Sequence, residues 1–342
     1  MKAARKTTVF FSLILLFSVL LFITSLISDS LAQTIDNVIC RRIRLILSDI
    51  TSMVPFSVFE ISVFLSPFLI AAFVKYVACG KNDYRVRFFR VLSAISLLVS
   101  LYILTIGIPY KAPSPFSKYG KAVTTDELFA TASALRKTIN DESEFISDEP
   151  TFEEICVKTG KAFDKATSKY RFSGGRILKP KPMITSKLVS YTGALAIYSF
   201  PTGEVNVNTN VPSYTIPFTV LHEFGHSCGL MSEADANFFA YLASLESDSH
   251  FIRYSAALSV LEYLLADLKK VNFNAYLCCY NGLSERARND IKSWQEYSEK
   301  YHSGWVFKAF ENSNRAHLKT WDNGSVSYGR VTVYVTNYLN SA

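Results

Sequence analysis

Cysteine spacing of the zinc-ribbon or redox kind is missing from this chain. Its six cysteines include no C-x-x-C pair, and Cys278 and Cys279 are adjacent. Cys228 reads as a small packed thiol rather than a soft ligand or a switch. No phosphate-cradling glycine loop and no internal repeat is found, which excludes the common nucleotide-binding and solenoid designs. Acidic excess is absent too. The net charge of +7 is partly accounted for by two basic clusters beside apolar segments, so it does not call for nucleic acid as a partner. Histidine is scarce, at five in 342 residues, which makes the placement of two of them informative.

Those two lie in His222-Glu223-Phe224-Gly225-His226, an H-E-x-x-H motif. Residues four apart share one face of a helix, so His222 and His226 can hold one metal. Glu223, turned about 100° from His222, can reach a water on that metal. A catalytic zinc needs a third protein ligand and an open fourth position. Glu223 is then the general base. Pro217 suits a first helical position, Phe218, Leu221 and Phe224 form an apolar face, and Gly229 sits where a C-terminal cap needs positive φ. Gly225, inside the helix, costs about 1 kcal/mol relative to Ala and suggests a close neighbour.

The third ligand is expected from the next helix. Ser232 reads as its N-cap, with Asp235 as capping-box partner and Met231 and Ala236 as a staple. That leaves Glu233 free to face the metal, on a stripe with Asn237. Glu246 competes, being twenty residues past His226, but it lies about 220° around the same helix from Glu233. Glu233 is preferred. His250, His302 and His317 are isolated histidines of the kind that more often serve the surface or the core.

Residues 193–200 and 204–208 read as two strands joined by a turn at Pro201-Thr202-Gly203, so a hairpin precedes the metal helix. An exposed sheet edge beside a zinc can hold an extended peptide by main-chain hydrogen bonds.

The first third is apolar. Residues 9–27 form a run of about the ~20 residues that cross a bilayer, behind Lys2, Arg5 and Lys6. An uncleaved anchor is preferred to a signal peptide, because the run exceeds the usual h-region of about 7 to 15 residues. Residues 56–77, with Pro67 and Glu60, and residues 91–108 make two further spans. Lys75, Lys81, Arg85, Arg87 and Arg90 between them place that loop in the cytoplasm. Residues 28–54 have the look of an interfacial amphipathic helix. The expected arrangement is a multi-pass cell-membrane protein with a cytoplasmic N-terminus: a three-span anchor over residues 1–110 and, beyond a Pro-rich linker, an extracytoplasmic domain over residues 111–342. Capping boxes at Thr124 with Glu127 and Thr151 with Glu154 open helices there, and Gly174-Gly175 closes that region. Charged residues interrupt the later helical patterns, at 256–268 and 284–300, well short of 18 residues. This argues against an intramembrane protease, so the zinc should face water. The expected fold class is α+β: membrane helices, then a small sheet, the H-E-x-x-H helix and a mostly helical remainder.

The chain resembles a family of bacterial membrane-anchored zincins grouped as a domain of unknown function. Three N-terminal spans lead there to an H-E-x-x-H, gluzincin-like domain. The segments that carry the likeness are Pro55-Phe56-Ser57 with Glu60, Thr202-Gly203-Glu204 with Val207-Asn208, His222 to His226, Glu233 with Ala236-Asn237, and Ser327-Tyr328-Gly329-Arg330. Pro109-Tyr110 stands where the family pattern has Asn-Tyr. The resemblance implies a metallopeptidase fold, with Glu233 as ligand and Asn237 supporting it. Tyr328 and Arg330 are candidates to donate toward the developing oxyanion, beside the plainer reading of helix packing. The expected function is zinc-dependent (Zn2+) hydrolysis of peptide or protein substrates, with zinc-activated water and Glu223 as base. The alternative is a zinc-stabilised module that binds peptide, or serves in envelope assembly, without cutting.

Overall fold

The computed structural model describes residues 2–79, 83–170, 178–321 and 328–341, the side chains of 317–321 and 328 excepted. The chain divides into two compact units: Met1–Pro113 together with Ser199–Glu204, and Ser114–Tyr198 together with Val205–Ala342.

The first unit is helical: α1 (Lys2–Ser25), α2 (Asp29–Ile35), a π turn, α3 (Arg41–Ser52), α4 (Val58–Cys79) and α5 (Tyr84–Tyr102), which runs on through a second π turn. Three helices are long and apolar enough to cross a membrane: Lys2–Ser25, Val58–Cys79 and Tyr84–Lys111. Small hydroxyl residues line the contact of α1 with α5. Thr8 donates to the Phe89 carbonyl at 2.7 Å and shares a 2.9 Å hydrogen bond with Ser93. Ile35, Cys40, Leu104 and Ile108 form a small core. Beside it Arg44 forms a buried, two-pronged pair with Asp36, at 2.8 and 3.3 Å.

The tip of the predicted hairpin, residues 199–204, belongs to this unit. Gly203 has φ of +67°, and a Cβ there would meet the Ser48 nitrogen at 2.6 Å, so only glycine fits. The Glu204 carboxylate accepts from the Val58 and Phe59 amides at 3.1 and 2.9 Å, while Ser57 Oγ accepts from Glu60 at 2.9 Å. Three otherwise orphaned amides at the head of α4 are thereby satisfied, with an anion at the positive end of the helix.

The second unit holds α6 (Thr125–Glu144), α7 (Phe152–Lys169), β1 (Lys181–Pro182), α8 (Ser186–Ser190), β2 (Ala196–Ser199), β3 (Glu204–Val207), α9 (Thr215–Ser227), α10 (Glu233–Ser244), α11 (His250–Val271), α12 (Phe273–Asn281), α13 (Glu285–Tyr301), α14 (Trp305–Trp321) and α15 (Tyr328–Ser341). The hairpin's outermost residues, Ser199 and Glu204, are those assigned to the first unit. The sheet is small, in the order β1-β3-β2, with β1 parallel to β3. Helices dominate, so α+β holds only in the sense of a mostly helical chain with one small sheet. Both predicted capping boxes form, Thr124 with Glu127 and Thr151 with Glu154. Gly174-Gly175 lies outside the described residues. The core gathers around α9: Phe224 packs on Phe163 at 4.8 Å between ring centroids, and Phe163 on Phe239 at 6.0 Å.

Candidate metal centre

Helix α9 starts earlier than its proline suggests. It begins at Thr215, so Pro217 is its third residue and not its first. The Phe218 amide is met from α11, where Ser255 Oγ accepts from it at 3.2 Å and donates to the Tyr214 carbonyl at 2.5 Å. One side chain thus serves both sides of the helix start. At the other end Gly229, with φ of +96°, donates to the His226 carbonyl at 2.9 Å, and Leu230 reaches back to Gly225 at 3.2 Å. This double closure satisfies two terminal carbonyls. It also swings the Leu230 carbonyl over the motif, where it lies 2.6 Å from His226 Nδ1.

Helix α10 opens differently from expectation. Ser232 is its N-cap residue, but its side chain makes no capping bond, and the Ser232 hydroxyl is buried without a hydrogen-bond partner. Asp235 accepts instead from Ser114 Oγ at 2.6 Å. The predicted Ser232–Asp235 box is therefore replaced by a tie to the start of the unit. Glu233 is the first residue of the helix, where its charge suits the helix dipole. The close neighbour expected at Gly225 is α10 itself: a Cβ there would lie 3.3 Å from Ala236 Cα. This near approach brings Glu233 against the motif.

His222 Nε2 lies 3.3 Å from Glu233 Oε2, and His226 Nε2 lies 3.7 Å from Glu233 Oε1. The three residues offer ligand atoms all within 4.8 Å of one another. Each imidazole is oriented from behind. His222 Nδ1 is 2.7 Å from Asn237 Oδ1, and His226 Nδ1 faces the Leu230 carbonyl. Both partners are acceptors, so each Nδ1 carries a proton and each Nε2 faces the same point as the nitrogen open to a metal. Two imidazole nitrogens and a carboxylate are the donor set zinc takes, and these residues fit it. Burial opposes protonation of His222. The Glu233 hydrogen bond and charge override it, with Glu223 and Asn237 adding to the pull, and without a metal the ring is raised to about 9, so a metal bound there would displace the Nε2 proton. The site opens toward Glu233, whose side chain is 28% exposed against 13% and 11% for the histidines.

Glu223 is buried, and its Oε2 accepts the Tyr198 amide at 2.6 Å. Tyr198 lies on β2, an edge of the sheet. The Asn208 amide donates to the Leu195 carbonyl at 2.9 Å. By alternation Ala196 and Tyr198 turn their main-chain groups away from β3, and the Tyr198 amide meets the motif helix at Glu223.

The competing carboxylate, Glu246, pairs with Lys169. His250 pairs with Glu142 at 2.7 Å, and His302 stacks on Phe307. The side chains of His317 and Tyr328 lie outside the described residues. Arg330 is half-buried on α15, and Tyr334 on that helix is held above the usual phenol range by burial first and by Asp235 next.

Tyr198, Leu230 and Ser255 carried no motif in the sequence. The hairpin pattern could have flagged Tyr198, but its register against the helix could not be read.

Neither a curated protein nor a solved structure matches the chain. Over residues 36–336 it matches, and so belongs to, the family described as Protein of unknown function (DUF3810).

Proposed function

We propose that this chain is a membrane-anchored zinc metallopeptidase. The observation that carries the reading is the convergence of His222, His226 and Glu233 on one point, with the buried Glu223 carboxylate on the same helix. A zinc ion held there would supply Lewis-acid polarisation of a peptide carbonyl and of water. The chain's own residues do the rest. Asn237 and Leu230 fix the imidazole tautomers. Glu223, with Oε2 engaged by the Tyr198 amide, keeps Oε1 to take the proton from water and deliver it to the leaving amine. An extended peptide would lie along β2 beside the Tyr198 amide, which Glu223 holds. Tyr328 and Arg330 remain candidates for the donor to the developing oxyanion.

The basic residues beside the apolar helices support an orientation with the N-terminus and the α4–α5 loop in the cytoplasm and the metal domain outside. Protease digestion of sealed spheroplasts should then cut after Tyr110, and digestion only after lysis would overturn that orientation.

The enzymatic reading is tested on the full chain in detergent, by metal analysis and cleavage of a peptide library. Wild type should carry one zinc and cut. Glu223→Gln should keep zinc and lose cleavage, and Glu233→Ala should lose both. Zinc without cleavage in wild type would favour a peptide-binding module, and wild type without zinc from metal-replete medium would end both readings.

A further inference from the structure

Helix α14 is amphipathic in a way the metal centre does not use. Phe307 turns inward, its ring stacked on His302 at 4.5 Å with 10° between planes, and a Cβ on Gly193 would come within 2.6 Å of it. That contact seats the start of α14 on the loop before β2. At about 100° per residue, Trp305, Val306, Ala309 and Phe310 then share a different arc of the helix. Trp305 is 80% exposed and Phe310 54%. A second element adds to this surface: Leu188 on α8 is 68% exposed, and Tyr191 just beyond it packs on Tyr301 at 5.0 Å, the residue before His302. Apolar surface left in water across two elements marks an interaction site.

The charges beside it are mainly positive. Lys308 lies on the polar side of α14, where Arg315 and Glu311 pair with each other at 2.8 Å. The Tyr301 phenol is drawn below its usual range by Asn210 first, and Lys300 and Lys187 also lower it.

We infer that this face docks on anionic phospholipid, with α14 lying in the plane of the membrane interface. Exposed Trp and Phe on one arc, with Lys308 on the polar side, match what such a helix needs. Three apolar helices of the same chain are fit to enter a bilayer, so lipid would be the partner present at highest local concentration. The inference rests on that anchor and not on the zinc chemistry, so either can fail without the other.

The test uses the full chain in nanodiscs of phosphatidylcholine, with and without phosphatidylglycerol. The chain has three tryptophans, so Trp294→Phe with Trp321→Phe leaves Trp305 as sole reporter. Its emission should be blue-shifted and about halved by acyl chains brominated near the headgroup, more strongly with phosphatidylglycerol. Adding Lys300→Glu and Lys308→Glu should remove the dependence on phosphatidylglycerol at unchanged melting temperature. Emission typical of water, quenched by iodide in both lipids, overturns the inference. So does a blue shift without bromine quenching, which would assign the face to a protein partner or a second copy. If the double variant does not fold, 5-fluorotryptophan labelling of wild type, with Trp305→Phe to assign the resonance, reads the same environment by lipid-borne paramagnetic broadening.

Discussion

The amide of Tyr198 donates to Glu223 Oε2 at 2.6 Å, joining the outer strand of the sheet to the carboxylate of the H-E-x-x-H motif. The bond belongs to the backbone, so Tyr198→Phe should leave peptide cleavage near wild type. Tyr198→Pro removes the donor without taking a ladder hydrogen bond from β3. It should cut kcat about 10-fold or more with zinc content unchanged, against about 10²–10⁴ for Glu223→Gln. Equal activity of the proline and phenylalanine variants would show that the amide does not position the base.

Asn237 holds the back of His222, and losing such a partner typically weakens zinc binding 10–100-fold. Asn237→Ala should show that loss in competition with a chelator, while Glu246→Ala should titrate like wild type, because Glu246 pairs with Lys169 on the surface. A large loss for Glu246→Ala and none for Glu233→Ala would reverse the assignment of the third ligand.

Much of this arrangement was legible from local patterns. The motif helix, the Gly229 cap, the boxes at Thr124 and Thr151 and the three apolar helices each depend on residues within a turn or two of one another. Glu233 could be nominated for a related reason, since its helix restarts directly after the motif. The expected capping box nevertheless does not form: the Ser232 side chain makes no cap bond, and Asp235 accepts from Ser114, 121 positions away. Pro217 misled in the same way: Ser255 supplies the start of α9 from another helix. Tyr198, Leu230 and the Glu204 cap on α4 also depend on pairs distant in sequence or on main-chain atoms, to which residue type gives no clue.

Gly225 lets α9 and α10 approach, and the atom a side chain would meet there is backbone, Ala236 Cα at 3.3 Å, which cannot rotate away. Gly225→Val should therefore destabilise by about 1–3 kcal/mol despite relieving the helix of a glycine. It should also push Glu233 from the histidines and weaken zinc binding. A Gly225→Val chain that melts like wild type and binds zinc as tightly would mean that α10 is not held by this contact.

Glu262 on α11 meets the Tyr214 hydroxyl at 3.3 and 3.4 Å from its two oxygens, just where α9 begins. Burial raises its carboxyl from 4.5 to about 7; the Tyr214 bond works against this, and the Asp290 charge adds to it. A folded-state pKa above the unfolded one means that the folded chain binds the extra proton. Stability is then highest below about 4.5, falls as pH rises, and is fully reduced above about 7. The reduction should be about 2 kcal/mol, allowing for the solvent that still reaches the side chain. Glu262→Gln keeps the shape and cannot ionise. Thermal melts of the two proteins should coincide near pH 4.5 and separate toward pH 8, with the glutamine variant the more stable. A wild type that gains on the variant over that range would show that the ionised carboxylate is stabilised at the head of the motif helix.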